Sequence, residues 1–203
     1  MNMNIAYKYY GQKPVYLNIT NRCTNKCSFC IRYTEIGVDG VDLWLEHEPS
    51  TEEIKQALED IDFRNSEEIV FCGYGEPTMR WDIIPEICRF IRENNPDAKI
   101  RINTNGHGNK IAGHDITPSL EGLVDEISIS LNEKNAQKYN EICTCQYGEE
   151  GFYELLDFAA KAKKHIKSVV LSIVDVLPPE DIEECRKIAE KIGIPLRVRK
   201  MIK

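Results

Sequence analysis

The sequence predicts an α/β fold, a partial, open (β/α)6 barrel, and three observations predict it. Extended apolar segments alternate with amphipathic helical segments along the whole chain, a pattern that implies parallel strands joined by right-handed crossovers. Several strands also alternate apolar with polar residues, whereas a sheet covered on both faces reads as nearly unbroken apolar runs. Val15, Leu17 and Ile19 oppose Tyr16, Asn18 and Thr20; Ile100 and Ile102 oppose Arg101 and Asn103; Ile127, Ile129 and Leu131 oppose Ser128, Ser130 and Asn132; Leu196 and Val198 oppose Arg197 and Arg199. The apolar face must meet helices and the polar face water or a polar ligand. A curved sheet with a wet lumen satisfies both needs, and a closed barrel packed with branched side chains does not. Finally, 203 residues, 42% hydrophobic and 29% charged, suit one domain spanning 1–203 that buries its own core.

The elements follow in order. An extended arm at 6–9 precedes a first strand at 14–20. A long connection runs to Pro49. Ser50-Thr51-Glu52-Glu53 is a capping box that opens a helix to about Asp60. A second strand spans 68–72 and a helix 81–94; a third strand spans 99–103, and a short helix starts near Pro118. The fourth strand, 126–131, leads to helical segments at 134–141 and 151–164. The fifth strand is 168–174. Pro178-Pro179 opens a helix that Gly193 stops, and 195–200 is the sixth strand.

Composition excludes disorder, collagen and coiled coil. The formal net charge of −7, from 33 acidic and 26 basic residues, makes nucleic acid an improbable partner. No apolar run reaches membrane-spanning length, and Met1 to Ile5 lack the basic and apolar regions of a secretory signal. A cytoplasmic protein without membrane contact is expected.

Eight cysteines are many for such a chain, and a disulfide framework is not expected without export. Cys88 and Cys185 sit on apolar helical stripes and read as core. Cys143 and Cys145 read as loop thiols. Cys23-x3-Cys27-x2-Cys30 is different. Three thiols within eight residues, on a polar segment after a strand, are poorly placed for packing and well placed to converge on one inorganic centre. Three cysteinates can hold three irons of a cubane and leave the fourth open to a ligand. A structural zinc knuckle is the rival reading. It needs a fourth ligand, for which His47 and Cys72 are the nearest candidates.

The spacing, with Phe29 just before the last cysteine, resembles the radical S-adenosylmethionine (radical SAM) superfamily. Cys72-Gly73-Tyr74-Gly75-Glu76-Pro77-Thr78, Asn103-Thr104-Asn105-Gly106 and Ser128-Ile129-Ser130-Leu131-Asn132 extend the likeness over nearly the whole chain. The resemblance implies a TIM-like barrel of that type, a [4Fe-4S] cluster on Cys23, Cys27 and Cys30, and S-adenosylmethionine on the open iron. One electron would split the sulfonium into methionine and a 5′-deoxyadenosyl radical that abstracts hydrogen from a substrate; flavodoxin or ferredoxin would supply the electron. It also implies cofactor contacts from Phe29, from the Gly73-Tyr74-Gly75-Glu76 loop, whose carboxylate helps fix the methionine ammonium, from Asn103, Asn105, Ser130 and Asn132, and from the backbone at Val176. Tyr74 stands where the family has a glycine. The closest likeness is to the TatD-nuclease-associated radical SAM proteins, supported also by Cys30-Ile31-Arg32-Tyr33-Thr34, Leu43-Trp44-Leu45-Glu46 and His107-Gly108.

The segment 31–49 holds Arg32, Tyr33, Trp44 and His47 and reads either as a lid over the substrate mouth or as a surface loop. Arg101, Arg197 and Arg199 favour an anionic small-molecule substrate if they point inward, and the last two suit a solvated edge strand equally well. Histidines 107, 114 and 165 read as surface or structural. Two other functions stay open: an activase that places a radical on a partner protein, and a non-enzymatic iron–sulfur or zinc module.

Overall fold

A computed structural model describes residues 4–9, 13–33, 40 and 42–200. Seven strands form one sheet in sequential order, β1 to β7. The two-residue β1 (Ala6–Tyr7) pairs antiparallel with β2 (Val15–Leu17). From there β3 (Glu68–Phe71), β4 (Lys99–Thr104), β5 (Glu126–Ser130), β6 (Ser168–Val174) and β7 (Leu196–Arg199) add in parallel. Among the described residues the outer strands β1 and β7 do not pair, so the six parallel strands make the open barrel that the alternating segments predict.

The crossovers carry α1 (Thr51–Asp60), α2 (Ile84–Asn94), α3 (Gly108–Ala112), α4 (Ala136–Cys143), α5 (Glu150–Ala162) and α6 (Pro179–Ile192). Their ends obey local chemistry. Glu53 N–H donates to Ser50 Oγ at 3.2 Å and Ser50 N–H to Glu53 Oε2 at 2.8 Å, closing the capping box. Gly193, at φ 64°, ends α6 in the left-handed region.

The structure departs from expectation at four places. The short α3 was not foreseen, because five residues are too few to show a period. The expected helix at 81–94 begins only at Ile84, after a separate 3-10 turn at Pro77–Arg80, and the one near Pro118 is the single 3-10 turn Thr117–Leu120. Cys143 and Cys145 are not simple loop thiols. Cys143 is the last residue of α4 and fully buried, and Cys145 follows at 9% exposure, both in the core.

The apolar strand face is sealed: Leu17, Ile69, Phe71, Ile100, Ile102, Ile127, Ile129, Leu171 and Ile173 pack under the helices with Cys88 and Cys185. Each such side chain contributes about 1.5–3 kcal/mol of burial. The polar face lines the lumen. At its N-terminal end Arg101 pairs with Glu68 (3.1 Å), Arg197 with Glu126 (3.0 Å) and Lys99 with Glu126 (2.6 Å). Because Arg197 on β7 reaches Glu126 on β5, it points inward, which supports the lumen reading, while its side chain stays 40% exposed on the edge strand. These pairs floor the lumen, and the chemistry-bearing loops gather at the opposite, C-terminal rim.

Candidate iron–sulfur and nucleoside site

The cysteine loop leaves β2 and lies against the end of α4. Lys26 N–H donates to Cys143 O (2.8 Å), Ser28 N–H to Ile142 O (2.9 Å) and Gln146 N–H to Thr24 O (2.7 Å). A helix's last carbonyls lack intrahelical partners, so the loop holds its shape by satisfying them. Cys23, Cys27 and Cys30 are half-buried there. Burial pushes the Cys23 thiol up to about 12 and raises that of Cys30. A hydrogen bond with the Cys143 thiol, then burial, raises Cys27. The Arg32 guanidinium opposes this at all three sulfurs. It also binds the loop to its neighbours, donating from Nη1 to Tyr74 O (3.5 Å) and from Nη2 to Asn25 O (3.4 Å).

Among the described residues no three His, Cys, Asp or Glu side chains converge closely enough to share one metal ion. Thiols spread along one loop beside N–H donors and a guanidinium suit a cluster in which each iron takes one sulfur, and metal binding displaces the thiol protons.

The loop after β3 presses on the loop after β2. A Cβ on Gly73 would sit 2.1 Å from Asn18 Oδ1, and one on Gly75 would sit 2.1 Å from Thr20 O. Asn18 Oδ1 accepts Tyr74 N–H (3.1 Å), and Arg22 O accepts Glu76 N–H (2.8 Å). The glycines therefore serve loop-to-loop contact. Tyr74 replaces a glycine without strain because its ring leaves the loop and packs edge-on against Trp44, 5.3 Å between centroids.

Glu76, the residue expected to help fix the ammonium, is tied into the rim by hydrogen bonds. It is 3% exposed. Its Oε1 accepts Thr78 N–H (3.0 Å), Thr78 Oγ1–H (2.7 Å) and Thr104 Oγ1–H (2.6 Å), and its Oε2 accepts Asn105 N–H (2.6 Å). The carboxylate is a pin between the β3 and β4 rims. Burial raises its pKa and the four donors pull the other way. Asn105 likewise turns away from the lumen, onto Thr24 Oγ1 (2.8 Å) and Cys23 Sγ (3.7 Å).

The chain matches the Radical SAM superfamily over residues 17–192. The chain belongs to the radical SAM superfamily. Among curated proteins it is 27% identical over 169 residues to a putative glycyl-radical enzyme activating enzyme of Methanocaldococcus jannaschii, covering 81% of this chain and 64% of that one. It is 30% identical over 171 residues to the GTP 3′,8-cyclase of Lactiplantibacillus plantarum, covering 83% of this chain and 47% of that one. It therefore spans less than two thirds of these relatives. A radical SAM methyltransferase structure from Sphaerobacter thermophilus shares the fold, with TM-score 0.65, 16% identity, and coverage of 96% of this chain and 68% of that one.

Members of the radical SAM superfamily use a [4Fe-4S] cluster and S-adenosylmethionine, and its residues here fit both groups. Besides the thiols, the rim offers buried acceptors without partners among the described residues: Asn103 Oδ1, Asn132 Oδ1 and Asn25 Oδ1. Buried polar atoms in native proteins are nearly always satisfied, so acceptors of this kind suit a hydroxyl- and ammonium-bearing ligand. Asn132, in the left-handed region at φ 61°, keeps its amide oriented by donating Nδ2–H to Cys143 Sγ (3.4 Å). Ser130 ends β5 opposite Ser172 on the lumen face. Phe29 is half-buried between two of the cysteines, and Val176 lies 52% exposed in the turn after β6.

Sequence reading did not single out Thr24, and it left His107 as surface or structural. His107 proves to be fully buried, with Nδ1 2.7 Å from Thr24 Oγ1. Only the folded chain brings these residues, 83 positions apart, together. Of the expected lid, residues 34–39 and 41 lie outside the described residues. The rest is anchored: Leu43 O accepts Asn18 Nδ2–H (2.6 Å), Leu45 O accepts Asn21 Nδ2–H (2.8 Å), Arg22 holds Glu48 through Nε (2.6 Å) and Nη2 (2.8 Å), and His47 pairs with Glu53 (2.9 Å).

Proposed function

We propose that the chain, as one domain spanning 1–203, is a radical SAM enzyme acting by hydrogen-atom abstraction on an anionic small molecule. The observation that carries this is three cysteines on one loop at the C-terminal rim, beside acceptors awaiting a polar ligand, above a lumen floored by Arg101, Arg197 and their carboxylate partners. Cys23, Cys27 and Cys30 would hold the cluster; Asn103, Ser130, Asn132 and backbone near Tyr74 and Val176 would hold S-adenosylmethionine. The bound pair supplies one-electron cleavage of the sulfonium to a 5′-deoxyadenosyl radical. The protein positions the nucleoside over the lumen and keeps the substrate's anion at its walls. Flavodoxin or ferredoxin is the proposed electron donor. The motif stretches support placement beside the TatD-nuclease-associated radical SAM proteins.

Arg101 and Arg197 are neutralised by Glu68 and Glu126. Arg199, on the same face of β7 as Arg197, makes no ion pair among the described residues. Burial and the neighbouring guanidinia of Arg101 and Arg197 lower its pKa, although its surface stays open to solvent. An unneutralised cation in a concave wall is the group to hold a carboxylate or phosphate. The experiment is anaerobic reconstitution followed by iron counting and S-adenosylmethionine cleavage with dithionite. The proposal expects about four irons per chain and cleavage lost in Cys23→Ala, Cys27→Ala and Cys30→Ala. A Cys→Ala variant that keeps both would refute the ligand set. Metabolites retained by the protein, read by mass spectrometry, should lose their anionic members in Arg199→Ala; an unchanged anionic set would refute the substrate class.

A second reading, activation of a glycyl-radical partner, draws support from the likeness to the Methanocaldococcus jannaschii protein. It requires a protein-borne radical signal on a partner chain rather than a modified small molecule.

A further inference from the structure

Resting on the cluster assignment above, we infer that Asn105 is a positioning residue for cluster chemistry: its side-chain amide, aimed by a buried relay through Thr24 and His107, donates to the Cys23 sulfur and raises the cluster's reduction potential.

The donor directions in the relay are fixed one after another. Gly151 O lies 3.0 Å from His107 Nε2 and Tyr139 Oη 3.3 Å from it; the carbonyl only accepts and the hydroxyl can accept as well, so a proton on Nε2 suits both partners. His107 is neutral near pH 7, because burial lowers its pKa to about 4. Its Nδ1 is then an acceptor, and Thr24 Oγ1–H donates to it at 2.7 Å. With its hydrogen committed, Thr24 Oγ1 must accept from Asn105 Nδ2, 2.8 Å away. The other end of the amide agrees: Asn105 Oδ1 accepts His107 N–H at 3.1 Å. A flipped amide would set donor against donor at the His107 N–H and acceptor against acceptor at Thr24 Oγ1. One hydrogen of Nδ2 is left, and Cys23 Sγ lies 3.7 Å from that nitrogen.

Cys23 thus has a side-chain amide donor, whereas the side-chain partner of Cys27 is the Cys143 thiol. Cys23 also takes the Asn25 backbone N–H at 3.4 Å, and Cys30 takes the Arg32 backbone N–H. Among the described residues, the Asn105 amide is the one side-chain donor to these two sulfurs. Hydrogen bonds to cluster sulfurs stabilise the more negative, reduced state and raise the potential. The relay residues Thr24, Asn105 and His107 are all buried, which keeps water from competing for the amide hydrogen.

The test is an anaerobic redox titration of the reconstituted full chain, read by electron paramagnetic resonance of the reduced cluster. Asn105→Ala should make the cluster at least threefold harder to reduce, about 30 mV lower at 59 mV per decade for one electron. Thr24→Val, which keeps the shape but removes the relay hydroxyl, should move the potential the same way, and Thr24→Ser should restore it. An Asn105→Ala potential within the error of wild type overturns the inference, as does a Thr24→Val potential equal to that of Thr24→Ser. If both Asn105→Ala and Thr24→Val lose the cluster, the wild type decides. Labelling asparagine side-chain amides with 15N must then give a resolved nitrogen coupling to the reduced cluster, and its absence overturns the inference. A wild type that binds no cluster overturns the cluster assignment itself, an outcome iron counting separates from the others.

Discussion

Replacing Glu76 by Gln distinguishes a structural pin from a ligand-binding carboxylate. The wild-type side chain accepts four hydrogen bonds, three on Oε1 and one on Oε2. Gln keeps an oxygen for the first three and presents an NH2 to the Asn105 N–H, 2.6 Å from the former Oε2. That leaves a buried backbone donor facing another donor, at a cost of about 1–3 kcal/mol. The three remaining bonds lose their charge assistance, a few tenths to about 1 kcal/mol each. Relief from burying a charge offsets part of this, since burial already raises the pKa of Glu76. The balance is a loss of about 2–3 kcal/mol. At roughly 2–4 °C per kcal/mol for a chain of this size, thermal unfolding of the cluster-free protein should fall by about 4–12 °C. Calorimetry on wild type and Glu76→Gln, with S-adenosylmethionine affinity measured alongside, reads both roles. An unchanged midpoint with weakened affinity would refute the pin and return the carboxylate to the ligand.

Other perturbations act on the same rim. His107 resists protonation down to about 4, against an ordinary value of 6.5. The unfolded chain therefore gains the proton first as pH falls, so this contribution is complete above pH 6.5 and is lost progressively toward pH 4, about 3 kcal/mol in all. Tyr139 and Tyr147, whose rings face the imidazole, carry no charge in that window. Urea unfolding across pH 4–7 should show a steeper slope in wild type than in His107→Gln; equal slopes would sink the assignment. Gly75→Ala places a methyl 2.1 Å from the Thr20 carbonyl oxygen, so it should destabilise by about 1–3 kcal/mol, and a neutral effect on urea unfolding would contradict the loop contact. In the floor, Glu126→Gln leaves Arg197 and Lys99 with a weaker partner. Burial raises the Glu126 pKa, but its cationic partners outweigh that and hold it below the ordinary value. Its contribution is therefore present above about pH 4 and lost below; wild type and variant should converge in urea unfolding at pH 3, and a gap that persists there would contradict the pairing.

Much was legible in the primary structure because it rests on short-range patterns. Period-two alternation in Val15–Leu17, Lys99–Thr104 and Glu126–Ser130 gave strands with one wet face, since successive side chains in a strand point to opposite sides. Ser50 with Glu53 and Gly193 marked helix ends through bonds spanning three or four residues. Cys23, Cys27 and Cys30 announced themselves by spacing alone. What only the folded chain decided is the direction of each polar side chain on the rim. The motifs mark Glu76 and Asn105 as ligand contacts but not which protein groups hold them, since hydrogen-bonding groups in a buried rim go to whichever partner satisfies them at the least cost. Those partners, Thr104 for Glu76 and Thr24 for Asn105, come from other strands' loops, 28 and 81 residues away. Such pairings arise when parallel strands bring distant loops to one edge, and no local pattern encodes them.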